Sequence, residues 1–465
     1  VIDSPLLLIA LPLAAAILTF LLRRNTTLCA LIAAGIPSAL AIFALLTDLS
    51  TPLTLLGREL VLTTGDRLAV AYIYLSAAAT FMGVWRTSPK WTYYPVALLT
   101  LAATAAALGA RPVVIATIGG RPFDPFHYSV IFITVASTLA IFPLQGGQPG
   151  VANGTLRFMT FMTIALPVFL TAAWILDQYS QSPDALNLAQ AAIALILLGF
   201  ALWLGVTPFH AWLPGISSES PPLSSAFVLG IINVGAWFLM LDMFHEIKVL
   251  HDSAIVLPLL RVGGIVTTVV GGGLALAQRD FGRVMGYAVM ADIGVALVAF
   301  GTGTTAGLTA AMIVVIVRTF GVGLMSMGLA VARRKFPDDT FESLTSLAWR
   351  MPWAAVVLIV GGFSLAGLPP FAGFAGRWAA LQQAARTDLA TSIALLSSTL
   401  GVAAGMLRGL QSVMRPLTAP EAEPHRESRL TILLLCGALA LALVLGLFPD
   451  LIAPLVQQMV TAYSG

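Results

Sequence analysis

The sequence predicts an all-α, polytopic integral membrane protein with about 14 transmembrane helices, and three observations carry that prediction. First, only 10% of its 465 residues are charged and 58% are hydrophobic. Soluble domains carry about 25% charged residues, so too little polar surface is left here to face water. Second, apolar runs of about 20 residues, the length that crosses a bilayer, recur along the whole chain. Barrel strands would alternate over much shorter segments; helices satisfy the backbone amides instead. Third, the cations between the runs segregate to alternate loops.

The runs fall at about 5–22, 28–47, 68–85, 94–118, 127–145, 156–176, 187–206, 223–244, 255–278, 284–301, 305–331, 353–367, 389–411 and 430–447. With the N-terminus outside, the inner loops receive Arg23, Arg24, Arg86, Lys90, Arg279, Arg283, Arg333, Arg334, Lys335 and Arg408, among others. The outer loops receive only Arg58, Arg67, Arg111, Arg121, Lys248, Arg261 and Arg386, which is the positive-inside pattern. Leu6–Leu22 is preceded by Asp3 and followed by Arg23-Arg24, the reverse of a cleavable signal, so it reads as the first span.

Composition excludes several function classes. The net charge of +3 is small and sits in loops, so nucleic-acid binding is not expected. Cys29 and Cys436 both lie in apolar runs, with no CxxC or Cys/His cluster to hold zinc or an iron–sulfur centre. No phosphate loop, GxGxxG turn or serine–histidine–acid set is present. Gly271-Gly272-Gly273 falls inside a span and reads as close helix packing. The chain is expected to carry no flavin, nucleotide or metal of its own.

Two spans are interrupted alike. LLGFALWLGVTPFHAWLP carries Gly199-Phe200 and then Pro208-Phe209; VGGFSLAGLPPFAGFAGRW carries Gly362-Phe363 and then Pro370-Phe371. Proline removes a backbone donor and glycine permits the torsions of a break. Matched interruptions in two halves point to a repeat transporter with its site near the midplane. Pro208 in the first half, with Gly367, Pro369 and Pro370 in the second, are the expected helix breaks.

Charged side chains inside spans point to the site. Asp292 and Arg318 fall near the centres of consecutive spans, and Arg377 sits just past the second break. A mid-membrane charge costs about 2.5–3.5 kcal/mol on insertion scales and persists when paired, hydrated or functional. Their consecutive spans allow a helical hairpin to bring Asp292 and Arg318 together, and the sequence leaves open both whether they meet and whether they form a relay in which the carboxylate titrates or an inert packing pair. His210, just past the first break, is a candidate proton shuttle or a ring bonded to freed backbone. Glu219 is expected at a membrane surface; Asp124 and His127 read as solvated loop residues.

These segments resemble the antiporter-like membrane subunits of respiratory complex I, the proton-translocating NADH:quinone oxidoreductase. That family is shared with multisubunit cation/proton antiporters and membrane-bound hydrogenases. The resemblance covers nearly the whole chain and is anchored by TPFHAWLP with the following SESPP (Thr207–Pro222), RDFGRVMGYAVMADIG (Arg279–Gly294) and FSLAGLPPFAGFAGRW (Phe363–Trp378). It implies two inverted five-helix repeats, at 91–247 and 253–412, flanked by helices at 1–90 and 428–465. It also implies a chain of buried Glu, Lys and His residues that move protons.

At those positions the sequence departs from the family. The fifth-helix glutamate falls on Thr138, the seventh-helix lysine on Trp203, and the eighth-helix lysine on or beside Val234, next to Asn233. The tenth-helix histidine becomes Asp292, an eleventh-helix histidine becomes Arg318, and the twelfth-helix Lys or Glu becomes Arg377. The first repeat is thereby expected to lack a titratable centre. The resemblance implies a subunit contributing to proton translocation, with flavin, iron–sulfur clusters and quinone held by partner subunits, in a bacterial inner membrane. The chain ends near the fourteenth span without a long lateral helix, which suits a middle or proximal subunit. Two alternatives stay open: a cation/proton antiporter module without redox partners, and a non-conducting scaffold.

Overall fold

The structure is a computed structural model, which describes residues 4–55, 58–85, 92–111, 126–146, 151–181, 185–416 and 427–464. Among these, ten helical stretches are long and apolar enough to cross a membrane, joined by four shorter apolar helices. They coincide with the 14 runs read from the sequence.

Before the first break lie α1 (Leu7–Leu21), α2 (Thr26–Leu46), α3 (Thr64–Trp85), α4 (Tyr93–Gly109), α5 (Phe126–Leu139), its short continuation α6 (Ile141–Leu144), and α7 (Val151–Gln181). The first broken helix is α8 (Leu186–Leu204) followed by α9 (Trp212–Glu219). Then α10 (Pro222–Phe227) runs through a π-helical turn, Val228–Ile232, into α11 (Asn233–Glu246). After the short α12 (Lys248–His251) come α13 (Val256–Ala277), α14 (Phe281–Phe300), α15 (Thr305–Ala332) and the short α16 (Leu347–Arg350). The second broken helix is α17 (Pro352–Ala366) with α18 (Gly373–Thr387), followed by α19 (Leu389–Val413), α20 (Arg429–Leu447) and α21 (Ala453–Ser464).

Local chemistry sets many of the starts. Asn25, Asp280, Thr304, Asp388 and Ser428 each accept a backbone N–H with the side chain at the head of α2, α14, α15, α19 and α20, satisfying donors that a helix start leaves open. Thr63 and Asp66 cap α3 reciprocally: the Thr63 backbone N–H donates to the Asp66 carboxylate at 3.0 Å, and the Asp66 N–H donates back to the Thr63 hydroxyl at 3.3 Å.

One feature differs from the sequence reading. The run at 94–118 does not stay helical; α4 stops at Gly109, and Ala110–Arg111 forms a strand, β3, that completes a small antiparallel sheet with β1 (Leu53–Leu55) and β2 (Arg58–Leu60). Pro112 explains the stop, because the residue before a proline is driven out of the α region. Asp124 and the side chain of His127 lie outside the described residues.

Every residue from Pro222 to Phe244 is buried; α10 and the π-helical segment pack on α15, and α11 packs among α3, α4, α5 and α8. Small residues let backbones meet elsewhere. A Cβ on Gly271 would sit 2.8 Å from the Ala291 nitrogen of α14, and one on Gly272 would sit 2.5 Å from the Ser398 Cα of α19. The glycine run thus packs helices, as read from the sequence. Cys29 is buried and Cys436 half-buried, and both are free thiols.

Candidate functional site

Both breaks follow one design. In the first, α8 ends at Gly205 with φ +75°, and the peptide bond Thr207-Pro208 is cis; in the second, α17 ends at Gly367 with φ +71°, and Pro369-Pro370 is cis. Glycine, three residues on a proline, then phenylalanine: the motifs register at Gly205 and Gly367. Gly199 and Gly362, which the sequence reading paired, serve packing. A Cβ on Gly199 would lie 2.6 Å from the Phe169 ring, and one on Gly362 would lie 2.0 Å from the Met406 methyl. Gly205 went unnoticed because only its left-handed φ sets it apart.

The second break places a charge. Gly367 is needed twice, for its positive φ and because a Cβ there would stand 2.2 Å from Cδ of Arg377. Gly376 brings α18 against α15, where a Cβ would sit 2.8 Å from the Val314 nitrogen. Arg377 is thereby pressed into the core beside α14. Its Nε donates to Asp292 Oδ1 at 3.0 Å, its Nη2 stands 2.8 Å from the same oxygen, and its Nη1 donates to Thr399 Oγ1 at 3.0 Å. Both side chains are 6% exposed. Arg377 engages only Oδ1 of the carboxylate.

The sequence left open whether Asp292 meets Arg318, and the ion pair is made with Arg377. The α18 half of the second broken helix brings Arg377 into contact with Asp292, and Arg318 on α15 bonds to Asn233 of α11. Its Nη2 donates to Asn233 Oδ1 at 2.8 Å. The Asn233 amide reaches the carbonyls of Trp203 and Leu204, each at 3.4 Å, in the last turn of α8. Those carbonyls have no following turn to bond. The π-helical turn immediately before Asn233 brings its amide to this place, a setting where such bulges often occur. Arg318 makes no salt bridge among the described residues, and its buried Nε has no hydrogen-bond partner. Asn233 therefore links a fixed cation of the second half to the first break. Position in the sequence had marked Asn233 only as a neighbour of Val234.

The remaining candidates fall as follows. His210 is half-buried in the turn after the first break, with its ring 6.3 Å from that of Tyr287 on α14 and its Nδ1 unpartnered; it makes no hydrogen bond to Asp292, Arg318 or Arg377. Thr138 bonds back to the Thr134 carbonyl at 2.9 Å. Trp203 is buried with its ring 4.4 Å from Phe169, and Val234 is buried. Glu219 is half-buried and accepts the Gly154 N–H at 2.7 Å. Asp242, buried in α11, was not singled out in the sequence.

A cavity of about 190 Å³ opens beside the ion pair, walled by Val295, Leu368, Phe374 and Trp378 with Arg377 and Thr399 at its polar end. Trp378 is 48% exposed on the bundle surface, so the cavity lies between the outer face of the helices and Arg377; Asp292 is not among its lining residues.

A second charged centre lies outside the spans, in the loop after α15. Arg333 grips Asp339 with two bonds, Nε to Oδ1 at 2.7 Å and Nη2 to Oδ2 at 2.5 Å, and Asp339 is fully buried. Burial outweighs the guanidinium's attraction and pushes the Asp339 carboxyl up to about 6. In the sequence Arg333 stood only among the inner-loop cations, and Asp339 was not singled out.

Comparison with known proteins fits this architecture. Residues 151–402, which hold both breaks together with Asp292, Arg318 and Arg377, match the family described as NADH:quinone oxidoreductase/Mrp antiporter, transmembrane. The chain belongs to this family. Subunit N of the NADH-quinone oxidoreductase of Acidithiobacillus ferrooxidans is 32% identical over 197 residues, 41% of this chain and 40% of that protein. The corresponding subunit of Thioalkalivibrio sulfidiphilus is 25% identical over 310 residues, 66% and 64%. Hydrogenase-4 component B of Escherichia coli is 26% identical over 270 residues, 54% and 35%. The chain thus spans about half the length of the curated relatives it matches. Among solved structures, a chain of the archaeal membrane-bound sulfane sulfur reductase superposes with a TM-score of 0.86 at 18% identity, covering 99% of this chain and 97% of that one. A chain of respiratory complex I from Thermus thermophilus gives 0.80 at 20% identity, covering 99% of each. These likenesses establish the shared fold of an antiporter-type membrane subunit.

Proposed function

We propose that this chain is a membrane-arm subunit of a complex I-like quinone oxidoreductase, contributing to proton translocation driven by electron transfer in partner subunits. The observation that carries the reading is the buried Asp292–Arg377 pair at the second break, whose arginine lines a cavity. Arginine keeps its proton at any workable pH, so Asp292 is the group of this pair that changes charge. Because Arg377 engages only Oδ1, the other carboxylate oxygen can take a proton without displacing the guanidinium. Protonation cancels the negative partner and leaves Arg377 uncompensated, a change in field that neighbouring helices feel strongly in a low-dielectric interior.

The first half is degenerate in this reading. Thr138, Trp203 and Val234 offer no titratable group, and the Arg318–Asn233 contact supplies a fixed charge in their place. The two halves correspond to 91–247 and 253–412. The N-terminus lies outside, in a bacterial inner membrane, and flavin, iron–sulfur clusters and quinone belong to partner chains. A multisubunit cation/proton antiporter is the second reading, favoured by a chain of the Mrp complex from Dietzia that superposes with a TM-score of 0.83 at 20% identity, covering 99% of this chain and 52% of that one.

Proton uptake into inverted vesicles tests the relay, with wild type, Asp292→Asn and Arg377→Ala compared at equal assembly. Both variants are expected to lose uptake. Wild-type uptake in both would leave the chain a scaffold. Mild-detergent purification separates the redox assembly, which brings flavin and iron–sulfur absorbance, from an antiporter, which brings only small hydrophobic chains.

A further inference from the structure

Residues at the basic end of the bundle bear on how the first break is held. The half-helix α9 begins just after His210 and ends at Glu219. Its last carbonyls lack partners of their own helix, and Arg333 supplies them: Nη2 donates to Ser218 O and Nη1 to Ser220 O, each at 2.7 Å. The same guanidinium holds Asp339, and Asp339 is tied to the start of α14, because the Phe281 N–H donates to the Asp339 carbonyl at 3.0 Å and the Phe341 N–H to the Arg279 carbonyl at 2.9 Å. One side chain therefore joins the end of α9, the end of α15 and the beginning of α14.

The side of α9 is fixed as tightly as its end. A Cβ on Gly282 would lie 2.5 Å from the Ser217 carbonyl oxygen, and one on Gly286, a turn later, 2.5 Å from the Pro214 Cα. Backbone thus lies on backbone, with no side chain between to absorb a sliding motion. Tyr287, against which His210 rests at 6.3 Å, follows Gly286 directly on α14, and Asp292 lies further along the same helix on a different face.

We propose that Arg333 is a positioning residue: by capping the Ser218 and Ser220 carbonyls while anchored to Asp339, it fixes α9 against α14 and so holds His210 of the first break in place beside Tyr287. This deepens the relay reading, since it names what positions the first break's candidate shuttle. Four hydrogen bonds from one guanidinium give that hold a definite geometry, which a point charge such as lysine cannot reproduce.

The test uses the assembled complex with ¹⁵N-histidine in this chain, which has five histidines, and the His210 resonance assigned from its disappearance in His210→Gln. Arg333→Gln is expected to lose the wild-type His210 resonance and its titration curve. Asp339→Asn, which leaves the two carbonyl caps in place, is expected to retain them. The exchange Arg333→Asp with Asp339→Arg restores an ion pair but puts a carboxylate against two carbonyls, and is expected to lose the signal. A wild-type His210 signal in assembled Arg333→Gln, or its return in the exchange, overturns the proposal. Where Arg333→Gln does not accumulate, Arg333→Lys takes its place, and an unchanged signal there overturns it equally. Proton uptake by the same vesicles separates the two readings. A lost resonance with normal uptake keeps the positioning role and removes His210 from the relay.

Discussion

Neutralising one member of the buried pair at a time should be far worse than neutralising both. Asp292 and Arg377 are each 6% exposed, and one carboxylate oxygen carries both guanidinium contacts at 2.8–3.0 Å. Removing one partner of such a pair leaves an uncompensated buried charge, at about 3–5 kcal/mol. Replacing both with neutral amides leaves no charge to desolvate, and an asparagine–glutamine contact retains one hydrogen bond worth about 1 kcal/mol. The cycle of wild type, Asp292→Asn, Arg377→Gln and the double variant should therefore show a coupling of about 2 kcal/mol or more, near the upper range for contacting residues. Arg318 bounds the effect, because it remains as a second cation when Asp292 is lost, so Asp292→Asn should be the more damaging single change. Retained folded chain after graded heating in detergent, read by gel filtration, provides the assay. Additive losses in the double variant, or an Asp292→Asn chain as heat-resistant as wild type, would refute the claim that the pair is desolvated and mutually dependent.

Other changes follow from the same geometry. Gly367→Ala must adopt φ +71° and displaces Arg377 with its Cβ; the left-handed backbone alone costs about 1–2 kcal/mol. Vesicles bearing it should lose proton uptake as Arg377→Ala does, and normal uptake would show that Arg377 does not depend on the glycine. Asn233→Leu strands Arg318 Nη2 and the carbonyls of Trp203 and Leu204, at a cost of about 1–3 kcal/mol for the unpaired groups, read as earlier loss of the folded chain on heating. Asp339 gives a pH signature: its carboxyl is raised from 3.8 to about 6, so the folded chain binds this proton more tightly than the unfolded chain does. That contribution favours the fold below about pH 4 and is lost as pH rises through about 6. Midpoint temperatures across pH 4 to 7 should accordingly fall less steeply with rising pH in Asp339→Asn than in wild type, and parallel curves would contradict the burial assigned to Asp339.

Much of the molecule was legible in the chain because a bilayer imposes local rules. Every span must be apolar for about 20 residues and satisfy its own amides, so the spans, Pro208, Gly367, Pro369 and Pro370, and the buried Asp292, Arg318 and Arg377 can be read without knowing any contact. Partner choice is not a local property. Asp292 lies one hairpin from Arg318 in sequence, yet pairs with Arg377, 85 residues away, because α18 follows a left-handed glycine and packs closely on α15. Nor does the sequence show that a π-helical turn brings Asn233 to the first break, or that Arg333 among several loop arginines is the one that caps α9. Composition decides which solvent surrounds a chain, and glycine and proline decide where its helices stop. Which buried charge meets which depends on distances between helices, and those exist only once the helices have packed.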